Sequence, residues 1–530
     1  MKTIQILTSL LLLIYQGTFL TAQTDSTVRE AEESMLKATR FMVENVSTKG
    51  GYLWNYLPDM SRRWGEMEAY STMIWVQHPG TVSMGHLFLD AFKVTGNEYY
   101  YAAAEKAAAA IIWGQLDCGG WNYIIDFAGD RSLKEWYNTI GKNGWRLEEF
   151  QHYYGNATFD DDVSSDAARF LLRMYLVKMD VKYKPALDKA INFIINSQYP
   201  LGGWPQRYPL RYEFAKKGLP DYTSYYTFND DVIWENINFL IQCYITLGEE
   251  RFLDPIYRGM NFYIITQQGN LQAAWGQQYN MKLEPTGART YEPPSVMPEY
   301  TYGNSLLVMK FYEYTGDRKF ISRIPDAIKW LENTRLPNDK AGNGKYTHPT
   351  FIELGTDKPL YVHRKGSNVE YGYYYYDYSD EKLLAHYGGK TKINIERLKE
   401  IYNHLNSLPP DSVTKNSPLR VESFKNTGLP PDHYNLSRYS LIEVPDIKKA
   451  IAIISSLDNQ GRWLVTNQNT SNPWKGNGKI KELTDRYAST NAGDETDTSP
   501  YQDTSDQKYI STWEYIKNMN LLLNYIDSRK

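Results

Sequence analysis

The sequence predicts an all-α fold of repeated helical hairpins arranged as an α/α toroid, an incomplete barrel whose long loops form a cleft on one rim. Three observations predict it: apolar residues recur at helical spacing, strand-like alternation is scarce, and one Gly-aromatic loop recurs along the chain. Apolar spacings of three and four run over Glu32 to Val43, Ser164 to Leu176, Ala186 to Ile195, Val232 to Leu247, Ser305 to Tyr314 and Ile324 to Leu331, and a last apolar stripe runs from Thr512 to Ile526. The loops are Gly50-Gly51-Tyr52-Leu53-Trp54, Gly119-Gly120-Trp121, Gly202-Gly203-Trp204, Ala274-Trp275-Gly276 and Gly344-Lys345-Tyr346, with Gly461-Arg462-Trp463 as a later relative. Their aromatic residues lie 67, 83, 71 and 71 residues apart. A period near seventy fits two long helices plus loops, and repeated hairpins of this size close into toroids or stack as solenoids. Either way the loops gather on one rim. Residues 466–510, rich in Asn, Thr, Ser, Asp and Gly, read as a long surface loop.

The whole chain bounds the rest. Of 530 residues, 42% are apolar and 15% aromatic, which is ample for a large core in one domain. The net charge of −4 supplies no basic field, so nucleic acid is not an expected partner. An acidic polymer would have to be held locally, by a few arginines or a metal. Lys2, the apolar stretch Ile4 to Ile14 and Leu20-Thr21-Ala22 before Gln23 have the layout of a secretory signal peptide over residues 1–22. That stretch is short for a membrane span, and no other run reaches the length. The expectation is a secreted or periplasmic monomer with one domain over 23–530. Cys118 and Cys243 lack metal-site spacing; they read as two buried small apolar side chains, with a disulfide as the alternative.

Two acidic clusters stand out. Asp160-Asp161-Asp162 precedes the helix at Ser164, and Asn229-Asp230-Asp231 precedes the helix at Val232. Their separation matches the loop period, so both face one cleft if the repeat holds. The bland reading is helix capping, which Asp and Asn favour. One residue per helix suffices for a cap, however, and packed carboxylates repel unless a cation or a proton offsets them. Hard oxygen ligands of this kind suit calcium. Arg289, among Tyr291, Trp275 and Tyr279, has the chemistry of a carboxylate clamp, or of a structural pair with Glu292. His363-Arg364-Lys365-Gly366 and the Tyr371 to Tyr378 run read either as a floor for sugar rings or as a solvated loop and a buried aromatic strand.

At this point the chain resembles a known family. Gly202-Gly203-Trp204-Pro205-Gln206-Arg207-Tyr208-Pro209, Thr227-Phe228-Asn229-Asp230-Asp231, Trp275-Gly276-Gln277-Gln278-Tyr279 and Ala288-Arg289-Thr290-Tyr291-Glu292-Pro293 are similar, in order and spacing, to motifs of the family 10 pectate lyases. The resemblance is strongest over residues 155–370. It implies an α/α toroid that acts on an acidic polysaccharide by calcium-assisted β-elimination. Arg289 matches the catalytic base. Asp160 and Asp161 align with a metal-binding Asp-Asn pair, and Asp230 or Asp231 with another metal-binding aspartate. Arg364 matches an arginine that holds substrate carboxylate, and Trp204 and Tyr291 fall in the motifs as substrate-binding aromatics.

The chemistry suits these residue types. β-Elimination removes the weakly acidic proton on C5 beside the uronate carboxylate, whose charge must be offset as a carbanion develops. Arginine is an awkward base, since its pKa exceeds about 12. The alternative is that Arg289 only stabilises charge while a tyrosine or a metal-bound hydroxide takes the proton. Two positions depart from the family: Asp161 stands where Asn is expected, and tyrosines and Asp377 follow Arg364 where a further Arg is usual. Ulvan therefore stands beside pectate as a substrate. Rival readings are an inverting glycoside hydrolase, with Asp160 and Asp230 as acid and base, and a non-catalytic carbohydrate-binding protein.

Overall fold

The computed structural model describes residues 26–530 apart from 213–218, 270, 388, 421–432, 434, 438–439, 442 and 477–482. The expected signal peptide, 1–22, lies outside the described residues. The architecture is mostly helical, 47% helix with few short strands, as expected of repeated helical hairpins, and without a closed barrel among the described residues. The chain divides into two compact units. One comprises the chain up to Trp113 with Ser437–Thr470 and Gln502–Lys530; the other is Gly114–Leu436 with Ser471–Tyr501.

The first unit contains α1 (26–41), the packed pair α2 (Thr81–Thr95) and α3 (Glu98–Trp113), and helices Ile447–Ser456 and Thr512–Asp527. Its four-stranded sheet runs Leu464–Val465, Tyr509–Ser511, Asn55–Tyr56, Arg63–Trp64.

The second unit carries the acidic clusters. After α4 (Asp130–Asn138) come three hairpins: α5 (Val163–Lys178) with α6 (Lys184–Ser197), α7 (Val232–Leu247) with α8 (Leu253–Thr266), and α9 (Pro298–Thr315) with α10 (Ile324–Asn333). A further helix, α11 (Ile395–Ser407), packs on the third hairpin. Proline in the first turn of α6, α9 and α10 costs no helical hydrogen bond and fixes the start of each helix.

The repeat seen in the sequence has a physical basis. The Trp204 indole N–H donates to Ile194 O at the end of α6 (2.8 Å), and Trp275 does the same to Tyr263 O of α8 (2.9 Å). In the first unit Trp463 repeats the bond to Ile453 O (3.0 Å). Each indole thus pins the loop under its own helix. The preceding glycines set the approach to the next hairpin. Gly119 and Gly202 both have φ +106°, and a Cβ there would stand 2.3 Å from Lys189 O of α6 and 2.1 Å from Arg258 O of α8. Only glycine meets both demands.

Short strands then register one hairpin on the next. Thr158 pairs with Arg207 and Ala157 with Tyr208; one repeat later Thr227 pairs with Gln278 and Tyr226 with Tyr279. Each pair leads directly into an acidic turn and its helix.

Two expectations are corrected here. Among its described residues the 466–510 segment is largely irregular, but it is no mere surface loop: Asp494, Asp497, Thr498 and Ser499 are buried. Asp497 accepts backbone N–H bonds from Trp145 (3.1 Å) and Ser499 (2.7 Å). The Tyr373–Asp377 segment is a strand paired with Pro359–Lys365, yet Tyr373 and Tyr376 are exposed, so it is neither a loop nor a wholly buried strand. Both cysteines are free, with Cys243 buried.

Gly202→Ala should lower stability by about 2–5 kcal/mol, through left-handed strain and overpacking against a carbonyl. Gly96→Ala, at φ +70° with nothing within 4 Å of its Cβ, should cost clearly less. Chemical denaturation of both variants checks the contrast.

Candidate active site

The two acidic turns are copies of one structure. Asp161 and Asp162 have φ of +48° and +60°, and Asp230 and Asp231 have +51° and +55°. Two consecutive left-handed residues that are not glycine cost roughly 1–3 kcal/mol each, and such strain concentrates where function requires it. Capping does not explain it, because neither N-cap residue, Asp162 of α5 nor Asp231 of α7, makes a side-chain capping hydrogen bond. The turns superpose as Asp160 with Asn229, Asp161 with Asp230 and Asp162 with Asp231. A tyrosine hydroxyl donates to the first residue of each: Tyr123 to Asp160 Oδ2, and Tyr300 to Asn229 Oδ1 at 2.8 Å. The turns also pack against one another, so the carboxyls of Asp160 and Asp230 face each other.

Arg289 enters between them. Its Nη2 lies 2.8 Å from Asp160 Oδ2 and 3.7 Å from Asp230 Oδ2, its Nε 3.2 Å from Glu149 Oε2, and its Nη1 3.2 Å from Glu292 Oε1. Glu292 also accepts the Arg289 backbone N–H (2.8 Å) and the Tyr387 hydroxyl (2.8 Å). Glu148 accepts from Thr290 N (3.1 Å) and its hydroxyl. The segment 289–292 is thereby clipped to Glu148–Phe150. Asp160, Glu149, Glu292 and Arg289 are all buried.

The electrostatics follow. Burial pushes the Asp160 carboxyl up, but Arg289 and the hydrogen bond from Tyr123 outweigh it, so Asp160 is held below the usual carboxylate range. Burial and the charges of Asp160 and Asp161 push Asp230 well above that range. Burial alone would lower the Arg289 pKa; Tyr291, Glu149, Asp160 and Glu292 instead raise it well above its ordinary value. Next to this cluster, His386 is pushed down to about 3 by burial and by Arg146 and Arg289, so it stays neutral.

One guanidinium therefore faces three buried carboxylates and a fourth, Asp230, that is driven towards its protonated form. A cation suits that excess, and the donors are hard oxygens. Asp160 Oδ1, buried without a hydrogen-bond partner, is a free lone-pair site beside Asp230. The residues thus fit calcium by charge and donor type. Among the described residues no three His, Cys, Asp or Glu side chains are gathered as a metal centre; Arg289 lies among the carboxylates.

The other expected site residues sit apart. Arg364 is buried and reaches the 484–492 stretch, donating through Nη2 to Thr490 Oγ1 (2.6 Å) and Ala492 O (3.0 Å), while its Cζ lies 4.7 Å from the Trp145 ring. Its Nε and Nη1 have no hydrogen-bond partner. Tyr374 bridges to the centre, lying 6.0 Å from Trp145 and 5.3 Å from Tyr291. Tyr291 is buried in an apolar cluster with Met297, Phe351, Leu360, Val362 and Leu384, and its phenol influences Arg289. Trp204 is corrected: fully buried under its loop, it is a core residue with no face open to a sugar. Asp231 is exposed at the start of α7. Sequence reasoning missed Tyr123 and Glu149, which reach Arg289 or Asp160 only through the fold. The anticipated Arg289–Glu292 pair does form, as one of four acidic contacts of Arg289.

Residues 127–386, which hold the whole Arg289 cluster except Tyr123 and Tyr387, match the family described as pectic acid lyase. The chain is accordingly a polysaccharide lyase. The match supports a pectic acid lyase-like family. Solved structures similar to it include a family 10 polysaccharide lyase from Cellvibrio cellulosa, with 18% identity over 51% of this chain and 82% of that one and a TM-score of 0.35. A mutant of that lyase in complex with trigalacturonic acid gives 17% identity, 53% and 86% coverage and a TM-score of 0.35. Cellobiose 2-epimerase from Bacillus thermoamylovorans gives 10% identity, 96% and 100% coverage and a TM-score of 0.41. No curated protein sequence matches. Among the described residues no helix is long and apolar enough to cross a membrane.

Glu292→Ala should lower stability by about 3–5 kcal/mol, because it breaks a buried ion pair and strands two donors. Glu135→Ala, at an exposed position of α4, should change it by about 0.5 kcal/mol or less. Urea midpoints of the two variants test the difference.

Proposed function

We propose that the chain is a secreted or periplasmic lyase of an acidic, uronic-acid-containing polysaccharide, pectate-like or ulvan, which it cleaves by β-elimination to leave unsaturated uronide ends. One observation carries this reading. A buried guanidinium and the acidic turns of two neighbouring hairpins meet at one point, with Arg289 2.8 Å from Asp160 and 3.7 Å from Asp230. Elimination needs a positive group beside the uronate carboxylate and a proton acceptor at C5, and this arrangement can supply both.

Asp160, Asp161 and Asp230, with Asp231 at the rim, would hold calcium, whose charge offsets the uronate carboxylate as the C5–H bond weakens. Arg364, through Nε and Nη1, takes the uronate carboxylate. Arg289 takes the C5 proton, the C5–H electron pair becomes the C4–C5 double bond, and the C4–O bond breaks, its oxygen leaving as a hydroxyl on protonation by water. Its acidic neighbours hold it charged in the arrangement seen here. With Asp160 engaged by the cation, one of those charges would be withdrawn, and burial beside that positive charge would then favour the neutral guanidine. Tyr291 limits water around it. Glu149 and Glu292 keep the side chain in place and receive its charge after transfer.

Arg289→Ala should lower elimination by about 10²–10⁴-fold and, because it strands buried carboxylates, stability by about 3–5 kcal/mol; activity is followed as ultraviolet absorbance of unsaturated products from pectate and ulvan, on protein that circular dichroism shows to be folded with calcium present. Unchanged turnover would refute its role. Excess EGTA should suppress the same absorbance, and added calcium should restore it; full activity in EGTA would remove the cation from the account.

A further inference from the structure

Arg207 is a second buried guanidinium in this unit, and the chemistry above makes no use of it. It is 1% exposed. No carboxylate lies within salt-bridge distance among the described residues, and its one hydrogen bond is a long one, from Nη1 to Asn122 Oδ1 at 3.4 Å. Its Nη2 is buried without a partner. Its Cζ lies 4.3 Å from the Tyr154 ring and 5.6 Å from the Tyr123 ring, and Tyr123 is the residue whose hydroxyl holds Asp160. Arg207 is therefore one side chain away from the partner of Arg289. Beside Tyr154 and Arg289, the Tyr222 hydroxyl is also buried with no hydrogen-bond partner.

A buried cation without a counter-ion is costly, and two aromatic faces offset only part of that cost. The repeat itself does not require the charge. Arg207 pairs with Thr158 in register, and the same position one repeat later, opposite Thr227, is the neutral Gln278. The next hairpin folds with an amide there. The charge at 207 is local to this side of the acidic turns, and its free N–H is an oxyanion donor site.

We propose that Arg207 binds the acidic substituent, carboxylate or sulfate ester, of a sugar flanking the one that is cleaved, with Tyr154 as the ring face beside it. This rests on the uronate-lyase reading and adds to it a second anion subsite and a preference for consecutive acidic sugars.

The test uses the full chain as Arg289→Ala, with calcium, to hold turnover. Crystals are soaked with trigalacturonate and, separately, with a sulfated oligomer from ulvan. The expected result is a carboxylate or a sulfate within hydrogen-bond distance of Arg207 Nη2, and the oligomer that supplies it identifies the source. In calorimetry Arg207→Gln should weaken that oligomer about tenfold or more, while fully methyl-esterified trigalacturonate or the desulfated oligomer binds as before. Arg207→Lys, which keeps the charge, should recover part of the loss and reports that the site has folded. An oligomer seated in the cleft with Nη2 unliganded, or equal weakening of acidic and neutral oligomers, would overturn this subsite and leave the lyase reading standing. If neither oligomer binds and wild-type protein makes no unsaturated product from either polymer, the lyase reading falls and the subsite with it.

Discussion

The site is organised by a charge imbalance. Asp160, Glu149 and Glu292 are buried around one guanidinium, and Asp230 is pressed against them. Burying a charge is tolerable only when it is paired. Arg289 pairs with each acid in turn but cannot neutralise them all, so Asp230 shifts towards its neutral form and Asp160 Oδ1 has no donor. In the proposed mechanism that unmet negative charge is what a cation would offset. The left-handed residues of both turns are strained to bring the carboxyls together, and the packing of α5 to α9 holds that strain.

The repeat is what makes such a cluster affordable. Two turns of the same design, a strand pair and an indole pin apart, face each other because each hairpin docks on the next through the same glycine-carbonyl contact. Variation within the copies then tunes the chemistry. Asn229 stands where its twin has Asp160, which lets its amide donate to Asp230 Oδ2 (2.5 Å). Gln278 stands where its twin has Arg207. The copies supply geometry, and the differences supply charge.

Much of this was legible in the sequence. Helices α5, α6, α7 and α10 declared themselves by apolar spacing, and the Gly-Trp loops gave the period. The acidic turns and Arg289 were legible as a group because the repeat placed them on one rim. The rest was hidden for physical reasons. Helix α2 is buried on most faces and α3 is largely alanine, so neither shows an apolar stripe. Helix α8 carries Pro255 and Gly259, both unfavourable residue types in a helix, although Gly259 is there to let Ile237 and Trp204 approach. Tyr123 reaches Asp160 across 37 residues of chain and Glu149 reaches Arg289 across more than a hundred, and no local pattern announces such partners. Trp204 was legible as an important residue but not as a core one, because a Gly-Gly-Trp loop looks the same with its ring outward or inward. The reach of Arg364 into 484–492 depends on a segment whose composition suggests solvent.

The account stands on the claim that the opposed turns are built for a cation. Calorimetric titration of calcium into the wild-type chain and into Asp160→Asn and Asp230→Asn variants tests it most directly. The account predicts saturable binding that weakens at least about tenfold in each variant as a ligand charge is lost. Calcium binding of the same strength in all three proteins, or none in the wild type, would contradict it.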